Sequence, residues 1–213
     1  STPSAFSGLL AELSKSRTSL FYLATPPSLF VTICEQLSAD GCLAGSCRIV
    51  LEKPIGESLD TSREVNETLA QFFNEQDIYR IDHYLGKETA QNLLVFRFAN
   101  SIFENLWNHR YIDHVQLTVA EDIGIGTRGR FYEEQGLVRD IMQNHMMQLF
   151  SLITMEPPVN LSPGSIHDEK AKVLEALRPY KQEDFESCAI RGQYGPGLIN
   201  GEDVKGYREE DNV

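Results

Sequence analysis

Short apolar bursts separated by turn residues dominate the first part of the chain. "LFYL", Leu20 to Leu23, can be buried on both faces; Pro26 and Pro27 interrupt it, and an amphipathic stretch then runs to about Gly41. The order predicts strand, turn, helix. "CRIVLEKPIG" repeats it, a β-branched run closed by Pro54 and Gly56, and "LDTSREVNETLAQFF" sets Val65, Leu69, Phe72 and Phe73 on one helical face behind capping residues. "IYRI" predicts a third short strand. Strands alternating with helices at this spacing imply a parallel sheet with helices on its faces.

The pattern then changes. Thr89 to Ala99 has helical periodicity, "YIDHVQLTVAED" alternates like a half-buried antiparallel strand, and "LVRDIMQNHMMQLFSLITM" reads as one long helix. A further helix is expected over Asp168 to Leu177 and a strand around Cys188 to Tyr194, before a polar tail. The fold class is therefore α/β followed by α+β, with a boundary near Tyr84 that divides the chain into 1–84 and 85–213. No internal repeat or low-complexity tract is visible.

At 213 residues and 41% hydrophobic, the chain is long and apolar enough to build a core. Its net charge of −12 and lack of any basic run argue against nucleic-acid binding, so an anionic partner must meet a local positive site. Cys34, Cys42, Cys47 and Cys188 form neither a CxxC pair nor a dense disulfide framework, and are read as free thiols. No charged leader with an apolar core is read, and no apolar run approaches the roughly 20 residues of a membrane span. A cytoplasmic protein with no membrane partner is expected.

"GIGTRG", Gly124 to Gly129, matches G-x-G-x-x-G, but the segment after it is short and broken by Gly136. A flexible or tight loop is the preferred reading. More informative is "RIDHYLGKE". Gly86 permits a sharp turn and a helix starts near Lys87, so free backbone N–H groups and the positive helix end face His83, Tyr84 and Lys87. Solvated charges at a strand end are the bland alternative; the density of donors favours an anion site.

His145 falls at helical spacing among Val138, Ile141, Met142, Leu149 and Leu152, where a histidine is usually a satisfied core residue. If that stripe borders a pocket, its imidazole is suited to general-base work, oriented by Asp82 or Asp140. In an α-helix Asp140 lies about 140° round from His145, so Asp82 is the favoured orienting partner and Asp140 can instead flank a substrate. Lys53 stands where a parallel strand ends, the edge at which open α/β sheets bind ligands, although a snorkelling surface lysine is the commoner case. His109 and His114 lack a supporting Cys pair, and no G-x-S-x-G elbow occurs, so neither a metal site nor a serine nucleophile is expected.

"LFYLATPP", "EKPIG", "RIDHYLGKE", "LTVAED" and "RDIMQNHMMQL", in this order and at these intervals, resemble glucose-6-phosphate dehydrogenase of bacterial type. The resemblance runs from about Leu20 onward and implies the back half of a Rossmann-type parallel sheet, followed by the first part of an α+β substrate domain with a large antiparallel sheet. Nothing in residues 1–19 matches the family's glycine-rich phosphate loop, and the chain stops before further strands of that sheet, so an internal fragment is expected.

The family's activity is the oxidation of glucose 6-phosphate to 6-phosphogluconolactone in the pentose phosphate pathway, with hydride passing to NADP; NAD is left open here. By motif match, His145 resembles the base that takes the anomeric hydroxyl proton and Asp82 its orienting carboxylate. His83, Tyr84 and Lys87 match the 6-phosphate site, Glu121 and Asp140 match positions that bind sugar hydroxyls, and Lys53 matches the residue between sugar and nicotinamide. Association into a homo-oligomer, dimer or tetramer, is implied for the full-length enzyme. The alternatives are a non-catalytic phosphosugar-binding or oligomerisation fragment, and a hydrolase or isomerase using the same base and anion site without nicotinamide.

Overall fold

The computed structural model describes residues 9, 12–13, 18–121, 123–211 and 213, and the chain divides into two compact units, Ser1–His83 and Tyr84–Val213. In the first unit, strands β1 (Thr18–Leu23), β2 (Ser46–Leu51) and β3 (Ile78–Arg80) alternate with helices α1 (Phe30–Ala39) and α2 (Leu59–Phe72). The strands form one parallel sheet in the order β1-β2-β3, with Leu23 opposite Leu51 and Ile49 opposite Ile78. Parallel strands need crossover connections, and α1 and α2 supply them.

The pleat sends Phe21, Leu23, Ile49 and Leu51 into one cluster with Phe30, Cys34 and Leu37 of α1 and Val65 and Leu69 of α2. Helix α2 starts on a capping box: the Thr61 N–H donates to Ser58 Oγ at 3.2 Å, and the Ser58 N–H donates to Thr61 Oγ1 at 2.9 Å. Gly56, at φ +81°, leads into that cap, where a Cβ would lie 2.5 Å from the Ser62 nitrogen; only glycine fits. Phe73 closes the same cluster one residue past the end of α2. The expectation that "LFYL" is buried on both faces is not met, since Leu20 is 61% exposed and Tyr22 52%: the helices cover one face of β1 only.

The second unit consists of helices α3 (Glu88–Phe98), α4 (Ser101–Glu104) and α5 (Gly129–Leu137), a π-helical segment (Val138–Met146), helices α6 (Met147–Thr154), α7 (Pro163–Ala176) and α8 (Phe185–Cys188), and the strands β4 (Gly197–Ile199) and β5 (Glu202–Val204). Among the described residues the expected large antiparallel sheet is a single hairpin, β4 against β5, around Asn200 and Gly201 at φ 54° and 87°. Two central residues with positive φ are what a tight type I′ turn requires, and Asn-Gly meets that requirement.

"YIDHVQLTVAED" forms no strand among the described residues, although Leu117 and Val119 are half-buried and alternate with the exposed Thr118 and Ala120. Alternation supplies a face, but a strand also needs a ladder, and no described strand pairs with this one. The strand expected over Cys188 to Tyr194 is likewise absent, Cys188 being the last residue of α8. None of the four cysteines forms a disulfide, and burial pushes the thiol of Cys34 up to about 11. No helix among the described residues is long and apolar enough to cross a membrane.

Candidate active site

Tyr84 and Lys87 precede α3, whose N-cap residue, Lys87, offers no side-chain hydrogen bond to the first turn. The turn before it closes through the Lys87 N–H, which donates to Tyr84 O at 3.1 Å. An uncapped helix start presents free N–H groups and the positive end of the dipole, an arrangement suited to an anion. Lys87 adds a full charge, its Nζ lying 3.9 Å from the centre of the Tyr84 ring.

The other face of this arrangement is His145. Its ring stacks on Tyr84 with centroids 4.0 Å apart and planes 13° apart, and the residue is completely buried. Tyr84 Oη donates to Glu121 Oε1 at 3.3 Å, which brings the "TVAE" segment to the same place. A cavity of about 350 Å³ opens there, lined by Tyr84, Lys87, Thr89, Thr118, Glu121 and Leu149 among others. Lysine, helix N-terminus, carboxylate and apolar wall together suit a small polyol carrying an anionic group.

His145 and Asp140 both lie in the π-helical segment. Here the α-helical estimate of their separation fails, because bonding from residue i to i+5 widens the turn and brings residues five apart towards one face. Both are buried, as that geometry allows. Asn144 contributes to the widened ladder: its side-chain amide donates to Arg139 O at 2.9 Å and to Asp140 O at 3.4 Å. Asp140 Oδ2 accepts from Tyr132 Oη at 3.2 Å, and burial, then the charge of Asp140, push the Tyr132 phenol up, so it remains a donor.

Among the sequence-predicted residues, Tyr84, Lys87, Glu121, Asp140 and His145 belong to the second unit. Lys53, Asp82 and His83 belong to the first: Lys53 is half-buried two residues beyond β2, and Asp82 and His83 follow β3. Tyr132 was missed; a tyrosine eight residues before Asp140 gives no periodic signal in an interrupted helix. "GIGTRG" leads into α5 at Gly129, but that helix is broken at Gly136 (φ 70°, ψ 164°), as expected, and no described strand delivers the loop, so a strand–loop–helix unit is not formed. No cluster of three or more metal-ligating side chains occurs among the described residues.

Residues 3–92 match the model of the NAD binding domain of glucose-6-phosphate dehydrogenase, and residues 94–213 match that of its C-terminal domain. The chain belongs to the glucose-6-phosphate dehydrogenase family.

It is 49% identical over 201 residues to the glucose-6-phosphate 1-dehydrogenase of Chlamydia muridarum and 51% identical over 191 residues to that of Mycolicibacterium smegmatis. These alignments cover 91% and 90% of the chain but 39% of each relative, so the chain spans about two fifths of their length. A solved glucose-6-phosphate dehydrogenase in complex with its substrate glucose 6-phosphate superposes on 99% of the chain with a TM-score of 0.84 at 37% identity, the chain covering 45% of it. The enzyme from Mycobacterium avium gives a TM-score of 0.81 at 38% identity over 97% of the chain and 44% of its own length. Membership of this family makes the first unit part of a Rossmann-type, pyridine-nucleotide-binding domain.

Proposed function

We propose that the chain carries the sugar-phosphate site of an oxidoreductase that converts glucose 6-phosphate to 6-phosphogluconolactone, the entry reaction of the pentose phosphate pathway, in the cytoplasm. The observation that carries this reading is the Lys87–Tyr84–His145 stack at the open start of α3, beside a cavity that Glu121 borders. Lys87, Tyr84 and the first-turn N–H groups bind the phosphate, and Glu121 and Asp140 accept from sugar hydroxyls. His145 takes the proton of the anomeric hydroxyl as the carbon beneath it is oxidised, which turns an alcohol carbon into the lactone carbonyl. Because the imidazole lies wholly buried under Tyr84, that role requires the tyrosine to shift when the sugar enters.

The motif that contains Tyr84 and Lys87 also contains Asp82 and His83, and their proposed roles, orienting carboxylate and phosphate ligand, come from that motif. The first unit fits a pyridine nucleotide: its sheet is parallel, and Lys53 follows β2 at the carboxyl edge where such sheets take their ligands. Bound nicotinamide supplies the hydride acceptor, and NADP is the proposed form. The family reading also makes the full-length protein a homo-oligomer.

Calorimetric titration of the chain with glucose 6-phosphate, and with glucose as control, tests the reading. Binding that requires the phosphate, survives His145→Asn and weakens about 10- to 100-fold in Lys87→Ala is expected. A folded chain that binds the two sugars equally, or neither, overturns it.

A further inference from the structure

Two side chains outside the cavity tie its helices together at their far ends. Arg97, in the last turn of α3, is 4% exposed and donates from Nη1 to Leu152 O at 2.7 Å and from Nη2 to Met155 O at 2.8 Å. Trp107 donates from Nε1 to Ile153 O at 2.7 Å. The final carbonyls of a helix lack N–H partners within it and form the negative end of its dipole, so a guanidinium and an indole N–H satisfy the end of α6 in charge and in hydrogen bonding.

The Arg97 guanidinium is flanked by the rings of Phe98, at 4.6 Å, and Trp107, at 5.2 Å. Burial lowers its pKa to about 10, so it remains charged near neutral pH. Its Nε is buried without a hydrogen-bond partner, a cost that an apolar plug of similar size would avoid. A group that only stabilised the packing could dispense with that burden.

The direction of the two helices gives the contact its meaning. Helix α3 starts beside Lys87 and Tyr84, and α6 continues from the segment that holds His145; both then run from the cavity towards Arg97. From His145 to Leu152 is about 10 Å of helix axis. A helix that short is stiff, so a grip on its last carbonyls sets where its first residues stand.

We propose that Arg97, backed by Trp107, is a positioning residue: it fixes the axial register of α6 against α3 and so holds the His145 ring in its stack on Tyr84. Its functional meaning rests on the phosphosugar reading of the cavity, whereas the geometry can be measured without a ligand.

The test follows the His145 ring proton signals by NMR in the wild-type chain, Arg97→Met, Arg97→Lys and Trp107→Phe, with circular dichroism to confirm folding. Trp107 is the only tryptophan, so its indole N–H reports the far end without ambiguity. In the wild type the stacked Tyr84 ring displaces the His145 signals upfield. Arg97→Met loses that displacement and binds glucose 6-phosphate about tenfold more weakly, Arg97→Lys restores part of both, and Trp107→Phe reduces the displacement.

A folded Arg97→Met chain whose His145 signals match the wild type overturns the proposal. Where Arg97→Met fails to fold, unchanged His145 signals in Trp107→Phe overturn it equally. If the wild type binds no glucose 6-phosphate while its His145 signals still follow Arg97, the phosphosugar reading falls and the positioning role stands.

Discussion

The two units differ most in what they bury. Among the described residues, Ser19 is the polar residue buried in the first unit, where the interior is otherwise a cluster of Phe, Leu, Ile, Val and Cys. In the second unit Arg97, Gln135, Asp140, His145, Ser151 and Glu169 are buried, against apolar Ala90, Ile125, Leu152 and Met155. An apolar interior is held by non-directional burial, while buried polar groups each need a partner in a defined direction. The first unit is thus organised by burial, and the second by specific bonds that fix individual side chains, which is what a site for chemistry needs.

Disrupting the apolar interior should have the largest effect. Phe30 is completely buried in the cluster beneath the sheet, and Phe30→Ala should cost about 3–5 kcal/mol of the first unit's stability, read from denaturant unfolding. Thiol chemistry sharpens the contrast. Burial raises Cys34 from 9.0 to about 11, which lowers its thiolate fraction about 100-fold at pH 8, while Cys188 is exposed. Timed alkylation should label Cys188 first and Cys34 only through opening of the unit.

The sign of the matching stability term is fixed. A thiol that keeps its proton in the folded state up to about 11 opposes unfolding fully below 9.0, and its contribution declines as pH rises through that window.

Within the second unit the expected effects are smaller and more specific. Lys87→Ala should weaken glucose 6-phosphate binding by about 10- to 100-fold, the value of a charge-assisted contact, with little change in unfolding. Tyr132→Phe removes the donor to Asp140 and should cost about 1 kcal/mol, appearing in sugar affinity rather than in phosphate affinity. A stability loss in Lys87→Ala as large as that of Phe30→Ala would erase the distinction between the units.

How legible each unit is in the sequence follows from the same difference. Short apolar runs and helical apolar patterns located β1, β2, α1 and α2 within a few residues, because burial alone places them. In the second unit, pattern located α3 and α7 but misread the stretch from Tyr111, whose alternation has no ladder partner. The π-helical turn was invisible, since nothing in the periodicity of "VRDIMQNHM" distinguishes i+5 from i+4 bonding, and with it went the shared face of Asp140 and His145.

The β4–β5 hairpin could have been found: Asn200-Gly201 between short apolar positions is a strong turn signal. Arg97 also left a trace, a lone charge in the apolar run "LLVFRFAN". The start of α3, with Tyr84 and Lys87 in the turn before it, was the most legible part of the second unit, because turn, lysine, tyrosine and helix start are contiguous in sequence.

The most direct test of the central claim follows the backbone amides of Glu88 and Thr89 and the ring of His145 by NMR while glucose 6-phosphate is added to the isotope-labelled chain. All three signals should move with one binding curve, and glucose should leave the two amides at the start of α3 unchanged. A folded chain in which glucose 6-phosphate moves none of them, or moves them no more than glucose does, would contradict it.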